Sequence, residues 1–290
     1  MKRSAALLAL LVAALAPQAV SAQAESAPKL EFPQSSPAAT IKQRVGVTDI
    51  EVNYSRPSVR GRKIFGGLVP YGEVWRTGAN AATRISFSTP VRLNGREIPA
   101  GNYELFTIPN ADEWTVIIHQ PKSQWGAYTY DQANDVARVQ AKPVRLPNPI
   151  ETFTIQVSSI TDASAVLYFA WENTRVPVQL ETDVAGTLIP QIEAVMASDA
   201  PKKPYAQAAL FYLNQNHDLD KAAQWLDQAI AENPNAFYFN YHKARLLAKQ
   251  GKKQEAIAAA ELSLAGAHKA GGPIEKEYVR LNEELLASLR

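Results

Sequence analysis

The residues best placed to do chemistry lie between Ser55 and Arg84, where Arg56, Arg60, Arg62, Lys63, Arg76 and Arg84 face a single acid, Glu73. Guanidinium groups present planar, bidentate donors that suit a carboxylate, phosphate or sulfate. Arg56, Arg62 and Arg76 are therefore candidate anion ligands, Tyr71 and Trp75 candidate stacking residues for a sugar or aromatic group, and Thr77 and Asn80 candidate polar contacts. The same residues have a second reading. A long glycine-containing loop must be held down, and arginines bonded to carbonyls with Trp75 in the core would do that. The sequence leaves both open.

Other chemistry is thinly supported. His119 ends an apolar run and has no nucleophile or second ligand at a useful spacing, so it reads as a hydrogen-bonded histidine at a sheet edge. His217, His242 and His268 form no metal-like cluster, and cysteine is absent, which removes disulfides, thiolate sites and a lipid-modified cysteine. Acids are scattered among Glu73, Glu104, Asp112, Glu113 and Asp131. No phosphate loop, dinucleotide fingerprint or nucleophile elbow is present. The expectation is no catalytic residue, no metal and no cofactor.

Those residues must be positioned by strands. Over residues 40–183, short runs with β-branched residues alternate with compact turns, among them Asn94-Gly95, a strong hairpin signal. Strands are predicted at 41–45, 47–54, 83–88, 91–93, 97–98, 103–108, 114–119, 152–160, 165–171 and 175–181. This spacing predicts an antiparallel sandwich or jelly-roll-like domain. The interval 55–82 fits neither strand nor helix, and loops of that length are usually functional or disordered.

Beyond Asp183 the period becomes helical. Residues 184–203 read as a linker with a short helix at 187–197. From Pro204 a 34-residue self-similarity aligns Ala222 with Ala256, Ala223 with Ile257 and Ile230 with Leu264, resembling the tetratricopeptide repeat. Two helix pairs, 204–234 and 235–267, and a capping helix at 275–289 fill residues 204–290. Phe211, Tyr212, Trp225, Phe237, Tyr238, Phe239 and Tyr241 read as core, or as a concave surface for a protein partner. The predicted class is α+β by segregated domains, all-β first and all-α second.

At the start, Lys2 and Arg3 precede the apolar stretch 5–16, and Val20-Ser21-Ala22 supplies small residues, so a secretory signal cleaved after Ala22 is expected. A flexible leader over 23–39 would follow. Losing Lys2 and Arg3 from 30 basic residues leaves as many as the 28 acidic ones. A neutral chain argues against a nucleic-acid partner, and no stretch is long and apolar enough to span a bilayer. The protein is expected to be exported, periplasmic or secreted.

The run SRPSVRGRKIFG at 55–66, continued by PYGEVWRTGAN at 70–80, resembles the signature of the domain of unknown function 2911 family. SPAATIKQRVGVTDIEVNYSRP before it, RLNGREIPAGNYELFTIP after it, and the tryptophan-bearing DEWTVIIHQ and SQWG extend the likeness over residues 32–183. The resemblance implies an exported bacterial protein, some members carrying helical repeats behind the domain, and it supplies no activity or ligand. Where it leads one to expect an acid, near position 81, the chain has Ala81. The functional expectation is non-enzymatic binding of a small or glycan-like, anionic ligand by the β domain, with a protein partner on the helices. The alternatives are a structural adaptor without a small-molecule ligand, and a glycan-directed hydrolase or lyase using Glu73 beside Arg76.

Overall fold

In Thr48–Ser55 every second residue (Thr48, Ile50, Val52, Tyr54) is buried while Asp49, Glu51, Asn53 and Ser55 point away, the period-two pattern of a strand with one covered face. The computed structural model of the chain describes Leu30 and residues 32–290. The expected signal segment, and residues 23–29 and 31 of the expected leader, lie outside those residues.

The β-rich region contains two antiparallel sheets. The first has six strands, β1 (Ala38–Val45), β2 (Thr48–Ser55), β3 (Thr83–Phe87), β6 (Gly101–Ile108), β7 (Trp114–His119) and β8 (Asp135–Ala141), in that spatial order. The second runs β5 (Arg96–Ile98), β4 (Val91–Leu93), β10 (Ser164–Thr182), β9 (Val144–Ser158). Val52, Ile85, Leu105, Val116 and Ile118 of the first and Leu93, Phe153, Leu167, Trp171 and Leu180 of the second belong to one buried apolar core.

Several strand expectations need correction. β1 starts at Ala38, inside the expected leader, because it pairs in full register with β2 from Ala38 opposite Ser55. β8 lies outside the predicted strands. Its inward residues, Ala137, Val139 and Ala141, carry little apolar signal, yet it pairs with β7 along its length. β9 begins at Val144, ahead of the predicted start at 152. Pro147 and Pro149 mask its first half, and they are tolerated because β9 is the edge of its sheet. The predicted strands 165–171 and 175–181 are one strand, β10. Its pairing shifts register at Glu172, whose φ of 52° bends the chain without ending it.

Six helices follow: α1 (Val184–Ala197), α2 (Tyr205–Gln215), α3 (Leu219–Glu232), α4 (Tyr238–Lys249), α5 (Lys253–Ala270) and α6 (Gly272–Leu289). α1 starts directly after β10 because Asp183 caps it, accepting from the Gly186 amide at 2.7 Å. No helix among the described residues is long and apolar enough to cross a membrane.

Burial repeats at the 34-residue offset. Tyr212 and Leu246, Leu213 and Leu247, Ala222 and Ala256, and Leu226 and Ala260 are buried in pairs. Among the aromatics, Tyr212, Trp225 and Phe237 are buried; Phe211, Tyr238, Phe239 and Tyr241 are partly exposed.

Candidate functional site

The segment 56–82 leaves β2, crosses to the second sheet and returns to the first. Ser58 bridges Thr152 of β9, and Trp75 bridges Thr107 of β6 through paired backbone bonds of 2.7 and 2.9 Å. Most of its large side chains turn inward. Ile64 and Phe65 are buried, and Trp75 (7% exposed) stacks on Trp171 with ring centroids 5.9 Å apart, contacts Phe65, Trp114 and Phe153, and donates its Nε1 to the Gly78 carbonyl at 3.0 Å.

Beside this aromatic cluster lies a cavity of about 270 Å³ whose lining includes Arg60, Arg62, Arg76, Leu68, Trp75 and Trp171. Of the seven residues singled out from the sequence, Arg62, Trp75 and Arg76 line it. Arg56 does not: its Nε donates to the Phe153 carbonyl at 3.0 Å and its Nη2 to Thr154 Oγ1 at 2.8 Å, pinning the segment to β9. Thr77 is fully buried and donates to Thr107 Oγ1 at 3.1 Å, and Asn80 Nδ2 donates to the Ser36 carbonyl and Ser55 Oγ. Tyr71, 46% exposed, stands apart from the cavity, against Gly66, where a Cβ would meet its ring at 2.7 Å. The structure thus gives Arg56, Thr77 and Asn80 positioning roles, and makes Trp75 a core residue whose ring closes one side of the cavity.

The three cavity arginines differ. Arg60 Nη2 donates to the Ser35 carbonyl at 3.3 Å, and Arg62 bonds the Val59 and Ser58 carbonyls at 3.0 and 2.6 Å, so each is held in place with donors to spare. Arg76 is half-buried, and its Nε is enclosed without a hydrogen-bond partner. A buried donor left unmade costs about 1–3 kcal/mol. The next residue, Thr77, has φ 53°, a left-handed conformation that a β-branched side chain resists. Backbone strain of this kind is held by its surroundings, here the buried Thr77 hydroxyl and the Thr83 hydroxyl, which donates to the Thr77 carbonyl at 2.7 Å.

No carboxylate lines the cavity, and Glu73 is exposed and outside it. The hydrolase alternative, with Glu73 working beside Arg76, therefore finds no acid here. The buried carboxylate of the region is Glu104, which accepts from the Gln124 amide and side chain, both at 2.9 Å, and lies 3.7 Å from His119 Nδ1. His119 is fully buried at the end of β7, an inner strand rather than a sheet edge, and its ring nitrogens face the Gln120 and Asp131 carbonyls at 2.7 and 3.2 Å.

Sequence reasoning undervalues Arg60, which shares the RGRK run with Arg62, and has no signal for Trp171, distant in the chain and brought in by β10. Neither a curated protein nor a solved structure matches the chain. Residues 36–180 match the family described as protein of unknown function (DUF2911), and the chain belongs to that family.

Proposed function

We propose that the β-rich region is a non-enzymatic binding module for a small anionic ligand, held in the cavity between Arg60, Arg62 and Arg76. The observation that carries this reading is three guanidinium groups, of Arg60, Arg62 and Arg76, on one cavity with no carboxylate in its lining, the last beside a strained backbone residue. A carboxylate or phosphate oxygen in the cavity would draw charge-assisted bonds from the Arg76 guanidinium and from the flanking arginines. The apolar rings of Trp75 and Trp171 lower the local dielectric and strengthen those bonds.

In the same reading the two sheets form a sandwich, and residues 40–183 form one domain. Residues 204–290 form a tetratricopeptide-like domain that holds a protein partner, supported by the paired burial at the 34-residue offset. The protein is exported after cleavage at Ala22, as the pattern of residues 2–22 suggests.

The test is thermal stability of the chain with inorganic phosphate, sulfate, citrate, galacturonate and glucose 6-phosphate, repeated with Arg76→Ala and Arg76→Lys. A ligand at about 100 times its Kd adds about 2.7 kcal/mol of stability. That gain should vanish in Arg76→Ala and shrink in Arg76→Lys, which keeps charge but loses the planar fork. No stabilisation by any of these anions, or the same stabilisation in Arg76→Ala, rejects the reading.

A further inference from the structure

A second cleft, of about 380 Å³, lies on the outward face of the six-stranded sheet and shares no lining residue with the arginine cavity. Ala79 lines the arginine cavity and Ala81 this cleft, so the two lie on either side of Asn80. Thr40, Asn53, Ser55 and Ser123 give the cleft neutral donors and acceptors. Its one basic residue, Arg84, sits directly across from its one acid, Glu104, in the β3–β6 register.

Ser123 and Gln124 of the segment 120–134 line this cleft, and the next residue, Trp125, bridges Ala81 at its edge. The base of the segment is fixed by buried polar bonds: Glu104 holds Gln124, and Thr129 Oγ1 donates to Gln124 Oε1 at 2.8 Å. Its backbone joins the 80–82 turn through Ala82 N to Gln124 O and Gly126 N to Asn80 O, both at 3.0 Å. Beneath it, Phe106, Ile117 and Ala82 form a small separate core with Ala127 and Tyr130.

A segment anchored this firmly nevertheless exposes two large aromatic rings, Trp125 (67% exposed) and Tyr128 (84%). The Tyr128 ring lies against Gly126, where a Cβ would come within 2.6 Å of it. Gly126 has φ 72°, so both the turn and the ring's seat require glycine.

We propose that this cleft binds a neutral oligosaccharide, with Trp125 and Tyr128 as its stacking residues and the Thr40, Asn53, Ser55 and Ser123 side chains as hydroxyl partners. A pyranose ring has an aliphatic C–H face and a hydroxyl edge. The face packs on an aromatic ring and the edge needs neutral donors and acceptors. Aromatic rings beside a polar cleft supply both. The assignment does not rest on the arginine cavity and uses none of its residues.

Fluorescence reads this site selectively. Of the five tryptophans, Trp75, Trp114, Trp171 and Trp225 are each at most 9% exposed, so acrylamide quenches mainly Trp125. The full chain is titrated to millimolar concentration with cellohexaose, chitohexaose, xylohexaose and maltohexaose. At least one should protect Trp125 saturably from quenching. Tyr128→Ala should weaken that binding about two- to twelvefold, the loss of one aromatic contact worth roughly 0.5–1.5 kcal/mol. Calorimetry with the same sugar should find Trp125→Ala weakened at least as much and Arg76→Ala unchanged. Three results would overturn the proposal: no protection by any of the four sugars, binding that survives both aromatic substitutions, or sugar-independent protection that grows with protein concentration, which marks an interface between copies.

Discussion

The segments 56–82 and 120–134 are alike in sequence and opposite in structure. Each leaves a strand of the six-stranded sheet, lacks a regular period, and carries one tryptophan, at least one tyrosine and glycine at positive φ. The first turns its tryptophan inward: Trp75 completes an aromatic cluster with Phe65, Trp114, Phe153 and Trp171, and arginines remain at the surface. The second turns its tryptophan outward and buries polar groups instead, Gln124 on Glu104 with His119 alongside. Residue type alone therefore does not tell a core ring from a binding ring. What holds the segment's backbone does.

The sharpest way to break this comparison is to remove the inward ring. Trp75→Ala deletes the centre of the cluster and the wall of the arginine cavity, and a cavity of that kind costs about 3–5 kcal/mol. Set against total stabilities of about 5–15 kcal/mol, that loss should lower the denaturation midpoint strongly or prevent folding. A Trp75→Ala protein with wild-type stability would show that segment 56–82 is not part of the core.

A smaller effect separates the two segments by pH. Burial, followed by a hydrogen bond to Asp135, pushes the Tyr130 phenol from 10.0 up to about 12. Its hydroxyl bonds both Asp135 carboxylate oxygens, at 2.9 and 2.7 Å, and accepts from Arg138 at 2.6 Å. Between those pH values the folded protein keeps a proton that the unfolded chain gives up. The contribution is therefore full below about pH 10 and is lost as pH rises through about 12, on the order of 1–2 kcal/mol after allowing for partial exposure. Alkaline unfolding of Tyr130→Phe compared with the parent chain measures it, and a pH dependence unchanged in Tyr130→Phe removes the linkage from this residue.

How far the sequence makes this contrast legible depends on the signal used. Apolar runs and their alternation place β2, β3, β6 and β7 to within a residue or two, because one face of each meets the core and the other is polar or covered by 120–134. The signal fails at β8, whose core positions are two alanines and a valine, and in the first half of β9, where two prolines imitate a loop. Charge points to the arginine cavity but not to the division of labour within it: Arg56 is spent on carbonyl and hydroxyl oxygens while Arg76 keeps an unmatched donor. That difference depends on where β9 runs, which is non-local. Glu104 and Gln124 are equally hidden, since neither has a motif and each finds the other only after β6 and the segment 120–134 meet.

The smallest effect is the most informative about purpose. Trp125 is two-thirds exposed, so its removal forfeits little burial, and Trp125→Ala should change stability by no more than about 0.5 kcal/mol. The same substitution of the same residue type would thus cost several kcal/mol at position 75 and almost nothing at 125. An exposed indole that the fold does not need, carried on a segment the fold secures with buried bonds, is an arrangement that stability does not explain and ligand contact does. If Trp125→Ala instead destabilises the chain by about 2 kcal/mol or more, on the scale of a lost core side chain, the ring is structural, and the difference between the two segments is one of degree.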